Sequence, residues 1–136
     1  MTNVLVVEAA GLVRGMITDI LRDAGLGVLE ADSAEAALEA VDTASDLPGV
    51  LVTAIALSRG GMNGAGLVAA LRCRCPDLGV VYLAEHPTDL ASDALGDRER
   101  ALIKPFEPAR LARLVCDLAP PCPNPPRLIR GRAVMR

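Results

Sequence analysis

A chain of 136 residues, 51% hydrophobic and 23% charged, is the size of one domain that buries a core without disulfides or a structural metal. Tyr82 and Phe106 are its only aromatic side chains, which argues against a base-stacking nucleic-acid platform, and no apolar run reaches membrane-spanning length. The net charge of −3 divides unevenly: residues 1–119 hold 10 basic and 17 acidic residues, or −7, while residues 120–136 hold four arginines and no acid, or +4.

Val4-Leu5-Val6-Val7 is a compact apolar run and predicts the first strand. After Gly11, the residues Val13, Met16, Ile17, Ile20, Leu21 and Ala24 recur at three and four positions and make one helical stripe, closed by Gly25 and Gly27. Val28 to Ala31 predicts a second short strand. Asp32 stands three residues before Glu35, a capping-box spacing, ahead of Ala37, Leu38 and Val41 in a second helix.

Val50-Leu51-Val52-Thr53-Ala54-Ile55 is the most continuously apolar run in the middle of the chain. Four of its six residues are β-branched, as suits a central strand buried on both faces. Leu67, Val68 and Leu71 mark a third helix, ended before Pro76. Val80-Val81-Tyr82-Leu83 is the fourth strand, a weakly apolar fourth helix is expected over 88–95, and Ala101-Leu102-Ile103 is the fifth strand. Pro108 suits a first helical position, and Leu111, Leu114, Val115 and Leu118 form the last stripe.

Five strands alternating with five helices predict an α/β fold: a three-layer, doubly wound, five-stranded parallel sheet with helices on both faces. The expected domain is 1–119, followed by a proline-rich, basic C-terminal tail over 120–136 whose first half reads as an extended spacer. Cys73, Cys75, Cys116 and Cys122 show no paired C-x-x-C spacing, so a zinc site is not expected. No signal peptide precedes the first strand, and free thiols in a reducing cytoplasm are the simplest assignment.

In such a sheet the chemistry gathers where the strands end. The central strand ends on Thr53, Ala54 and Ile55, none of which is a general base or a metal ligand. Four segments carry a family resemblance: Val4-Leu5-Val6-Val7-Glu8, Leu51-Val52-Thr53-Ala54-Ile55, Val80-Val81-Tyr82-Leu83-Ala84 and Leu102-Ile103-Lys104-Pro105-Phe106. Thirty positions separate Ala54 from Ala84, and twenty separate Ala84 from Lys104. In these segments and spacings residues 2–118 resemble the receiver domain of bacterial two-component response regulators, a flavodoxin-like fold with strand order 2-1-3-4-5.

The resemblance implies a degenerate site. Receivers hold Mg²⁺ on two adjacent acids after the first strand; here these positions are Glu8 and Ala9. The phosphoacceptor aspartate falls on Ala54, the hydroxyl residue ending strand four on Ala84, and the switching aromatic of strand five on Ala101. Lys104 and Pro105 match the family, and Pro105 takes the place of its cis-proline. A methyl group has no lone pair for phosphoryl transfer, and a single carboxylate is a poor Mg²⁺ site. No catalytic residue, metal or cofactor is therefore expected, and Glu8 is the expected partner of Lys104.

The expected role is a stand-alone, phosphorylation-independent interaction module in cytoplasmic signalling, and not an enzyme. The resemblance implies a histidine kinase, phosphotransfer protein or other regulator as partner. Candidate interface residues are Arg14 and Arg22 on the first helix. Asp97, Arg98, Arg100, Arg110 and Arg113 lie around the fourth helix, fifth strand and fifth helix, a face implied to form homodimers. A membrane partner is not expected. One alternative is nucleic-acid or acidic-surface binding through the basic tail, opposed by the charge of the body. The other is a phosphoacceptor or metal-dependent activity through Glu8, Asp32 or a Glu8–Glu85–His86 cluster, outside the family's pattern. The tail, with Leu128, Ile129 and Val134 among its arginines, is also a candidate to fold back on the acidic body.

Overall fold

Strand β1 (Asn3–Val7) leads into helix α1 (Gly11–Asp23), then β2 (Gly27–Ala31), α2 (Ala34–Thr43), β3 (Val50–Ala54), α3 (Gly64–Arg72), β4 (Gly79–Ala84), β5 (Glu99–Ile103) and α4 (Pro108–Leu118). The computed structural model describes residues 3–43, 47–55, 63–85, 96 and 98–119. The helix expected over 88–95, the residues His86, Asp89, Asp93 and Asp97, and the whole tail from 120 lie outside the described residues. The last described helix, α4, is therefore the fifth of the sequence reading.

All strand pairs are parallel, and the sheet has the order β2-β1-β3-β4-β5 anticipated from the sequence. β3 takes the centre because every one of its five residues is buried, which an apolar, β-branched run tolerates and an alternating one does not. Side chains alternate across the sheet and build two cores. Val4, Val6, Val50, Val52, Val81 and Leu83 pack under α1 and α4 with Ile17, Leu21, Leu111 and Val115. Leu5, Val7, Leu51 and Val80 pack under α2 and α3 with Val41, Leu67 and Leu71. Side chains such as Leu5, Ile17, Leu51 and Leu111 are fully enclosed, each stabilising the fold by about 1.5–3 kcal/mol.

The helix ends follow local chemistry, with one correction. Helix α1 closes in a Schellman turn: Leu26 N donates to Leu21 O at 3.1 Å, Gly25 N donates to Arg22 O at 2.9 Å, and Gly25 takes the required positive φ of 88°. Asn63 Oδ1 caps α3 by accepting from Gly66 N at 2.8 Å. The cap of α2 is Ser33, whose Oγ accepts from Ala36 N at 3.1 Å, and not the Asp32–Glu35 box. Asp32 directly follows the last paired residue of β2, Ala31, so the helix opens one position later than the spacing indicated.

Strands β4 and β5 are longer than their apolar runs. Parallel pairing draws in Gly79 beside Val50, and Glu99 and Arg100 beside Val80 and Val81, although none of these three is apolar enough to signal a strand. β5 is an edge strand, where polar residues are tolerated. β3 stops at Ala54, and Ile55 N adds a last bond to Leu83 O at 3.3 Å.

Candidate functional site

The carboxyl ends of β1, β3, β4 and β5 gather Glu8, Ala54, Ala84 and Lys104 at one edge of the sheet. Ala54 is 7% exposed and Ala84 1% exposed, so both present enclosed methyl groups where the two central strands end. Ala9 is exposed and Ala101 half-buried. The carbonyl of Ala54 accepts the Thr53 hydroxyl at 2.9 Å. The same carbonyl lies 2.6 Å from where a Cβ on Gly64 would stand, so only glycine fits there.

Glu8 is buried, and each oxygen of its carboxylate accepts a hydrogen bond. Lys104 Nζ donates to Glu8 Oε1 at 2.9 Å, and Ala10 N donates to Glu8 Oε2 at 3.3 Å. The backbone holds both partners in place: Glu8 N donates to Ala31 O at 3.1 Å, and Lys104 N donates to Ala84 O at 2.8 Å. The peptide bond between Lys104 and Pro105 is cis. Lys104, Pro105 and Phe106, with Val13, Met16 and Glu85, line an open groove of about 500 Å³ beside this pair. Asp32 and Glu85 are exposed on the same edge, but no three His, Cys, Asp or Glu side chains among the described residues converge to hold one metal ion.

The structure treats the candidate interface residues differently. Arg14 turns to its own molecule, donating to Glu8 O at 2.8 Å and pairing with Glu30 at 3.4 Å. Arg98 donates to Asp77 O at 2.7 Å and to Leu118 O at 2.5 Å, joining the start of β4 to the end of α4. Arg100 is half-buried, and Arg22, Arg110 and Arg113 are exposed.

Sequence reasoning missed a second polar cluster, at the opposite edge. Arg72 NH1 donates to Glu99 Oε2 at 2.6 Å, and its NH2 donates to Leu78 O at 3.0 Å. Gly96 N donates to Glu99 Oε1 at 2.9 Å. Burial pushes the Glu99 carboxyl up, but the Gly96 bond and the Arg72 guanidinium outweigh it and hold the group below the usual carboxylate range. The half-buried Tyr82 hydroxyl is pushed up by burial and then by Glu99. Of the thiols, Cys73 and Cys116 are exposed, while burial pushes the Cys75 thiol up despite the neighbouring Arg74.

Comparison with known proteins places this geometry. The response regulator receiver domain family matches residues 4–115. No curated protein matches the chain. A response regulator receiver domain protein of Clostridium thermocellum is similar at 20% identity and a TM-score of 0.75, with 87% of this chain and 94% of that chain covered. The Vibrio cholerae chemotaxis protein CheY4 is similar at 25% identity and a TM-score of 0.71, with 87% and 98% covered. NtrX of Brucella abortus is similar at 24% identity and a TM-score of 0.71, over 87% of this chain but 27% of that longer one.

Proposed function

The chain belongs to the response regulator receiver domain family, and from that premise we propose that it is a degenerate receiver, an interaction module of signal transduction that works without phosphorylation. The observation that carries this reading is the methyl-lined edge. Ala54 ends β3 where the family's resemblance puts the phosphoacceptor, and its methyl offers no lone pair to a phosphoryl group. Ala84, at the end of β4, has no hydroxyl to hold one.

The Mg²⁺ of ordinary receivers fits these residues poorly. Mg²⁺ binds through one or two carboxylates and phosphate oxygens, in near-octahedral geometry. Glu8 is the carboxylate in position, with Ala9 beside it, and its two oxygens already accept from Lys104 and from Ala10 N. An ion there would compete with Lys104 for Glu8 and would find a single protein carboxylate among the described residues at this position. The Lys104–Glu8 bond instead ties the end of β1 to the end of β5 across a separation of 96 residues. In this reading the pair is a fixed clasp and performs no chemistry, so the domain is a binding partner and not an enzyme.

A histidine kinase, a phosphotransfer protein or another regulator of the cytoplasm is the class of partner this reading implies. The exposed Arg22, Arg110 and Arg113 lie on helices that flank one face of the sheet and supply charge for such a contact. The test is the intact mass of the protein after incubation with a small acyl-phosphate donor and Mg²⁺. An unchanged mass is expected. A stable gain of one phosphoryl group on any carboxylate overturns the reading.

A further inference from the structure

Helix α1 turns one stripe to solvent. Leu12, Met16, Asp19 and Asp23 stand at i, i+4, i+7 and i+11 and so share a face. Leu12 is 94% and Met16 49% exposed, the two most exposed large apolar side chains among the described residues. With Gly15 and Ile20 the four line a shallow groove of about 500 Å³. The groove is apolar toward the start of the helix and acidic toward its end. Arg22 flanks the acidic end, and Arg14 is turned away toward Glu30.

The chain itself contains a segment of complementary chemistry. Residues 127–136 read Arg-Leu-Ile-Arg-Gly-Arg-Ala-Val-Met-Arg, four positive charges interleaved with large apolar side chains. The last described residues end close to α1. Helices α1 and α4 pack side by side under the same sheet face. Arg98 binds Leu118 O and Asp77 O together, so α4 ends at the amino edge of the sheet, where α1 also ends on Asp23 ahead of β2. Residues 120–126 include five prolines and can reach about 22 Å at polyproline spacing, against about 8–10 Å between neighbouring helix axes. The stripe from Asp23 to Leu12 is about 16 Å long, which ten residues can span.

We propose that residues 127–136 dock within their own molecule on the outer face of α1. The arginines lie over Asp19 and Asp23, and Leu128, Ile129 and Val134 cover Met16 and Leu12. A short linker gives an effective concentration on the order of mM, so a contact too weak to persist between separate molecules still closes within one. A partner seeking the α1 face then has to displace the tail. The module is thereby regulated by residues 127–136, whatever the state of the alanine-lined edge.

The test uses the full chain and two charge reversals. One variant carries Asp19→Lys and Asp23→Lys, and the other carries Arg127→Glu, Arg130→Glu and Arg132→Glu. Trypsin cleavage after Arg127 and Arg130 is expected to be about two- to tenfold faster in the first variant than in the parent, because cleavage follows the population of the open form. High salt should remove that difference. Amide NMR shifts of Leu12, Met16, Asp19 and Asp23 are expected to move in the second variant, and combining both sets of reversals should bring those of Leu12 and Met16, which neither set replaces, back toward the parent. The second variant leaves the folded body untouched, so it reports even if the first folds poorly. Equal cleavage rates, or α1 amides indifferent to tail reversal, overturn the proposal. So does protection that rises with protein concentration, which assigns the tail to a second copy.

Discussion

At the amino edge of the sheet Arg72 ties Glu99 to the carbonyl of Leu78, and Arg98 joins Asp77 to Leu118. At the carboxyl edge β3 and β4 end on Ala54 and Ala84, and the Lys104–Glu8 pair closes the ends of β1 and β5. Among the described residues, Glu8 and Glu99 each meet a cation at their own edge. They differ in what is left over. A receiver that takes phosphate has to crowd acids that repel one another until a metal ion screens them. This chain keeps the charges that pair with each other and has alanine where the resemblance expects acids that need a metal. On the function proposed above, the two sheet edges are alike in kind, each closed by charged groups that bind one another.

The largest effect expected is at the amino edge. Arg72→Ala leaves the Glu99 side chain, 11% exposed, without its guanidinium and leaves Leu78 O without a donor. Breaking such a pair should cost about 2–4 kcal/mol in denaturant unfolding at neutral pH. The loss has an acid signature. Glu99 has a depressed carboxyl in the folded state, so its contribution is present above the unfolded carboxylate range and lost as pH falls through the folded value. The gap between parent and variant should therefore narrow in acid. A gap that does not change with pH would make Arg72 a packing residue and not an electrostatic one.

Next comes the carboxyl edge, where Ala54 and Ala84 end their strands without an acid. Ala54→Asp puts a carboxylate at a position 7% exposed. Lys104, already held by Glu8, has one charge to divide between two acids. Unfolding measurements should show a loss of about 1–3 kcal/mol. Adding Ala9→Asp should deepen the loss without Mg²⁺ and shrink it with Mg²⁺, since the ion screens the gathered acids. A double variant indifferent to Mg²⁺ means that these positions do not converge on one ion.

How far the sequence carries this comparison depends on which forces act locally. β1 and β3 are legible because their residues are apolar and β-branched and bury on both faces, so composition alone marks them. The polar ends of β4 and β5 are not legible. Gly79, Glu99 and Arg100 become strand through pairing with a neighbour, a tertiary effect that overrides their own preference. The cap of α2 lies one residue beyond the position its spacing indicates, because Asp32 and Ser33 are both good caps and the end of β2 decides between them. The alanines of the carboxyl edge are visible in sequence only through a family pattern, for a methyl group signals nothing by itself. Arg72 and Glu99 lie 27 residues apart and meet only after β4 is laid between them, so no spacing rule finds the pair.

The smallest effect sharpens the comparison most. Arg74 NH1 also pairs with a carboxylate, that of Asp42, but there the side chains are 44% and 70% exposed. Water solvates both groups almost as well apart as together, and ordering two long side chains has an entropic cost. A double-mutant cycle through Arg74→Ala and Asp42→Ala should give a coupling below about 0.5 kcal/mol that fades in high salt. The same cycle through Arg72→Ala and Glu99→Ala should give more than about 1.5 kcal/mol and resist salt, because the Glu99 side chain, 11% exposed, has lost most of its water. If the exposed pair couples as strongly as the buried one, burial is not what separates a fastener from an ornament, and the like treatment of the two sheet edges loses its physical basis. If the couplings divide as expected, the Lys104–Glu8 bond, with Glu8 side-chain exposure of 9%, belongs with the buried pair, as a clasp has to.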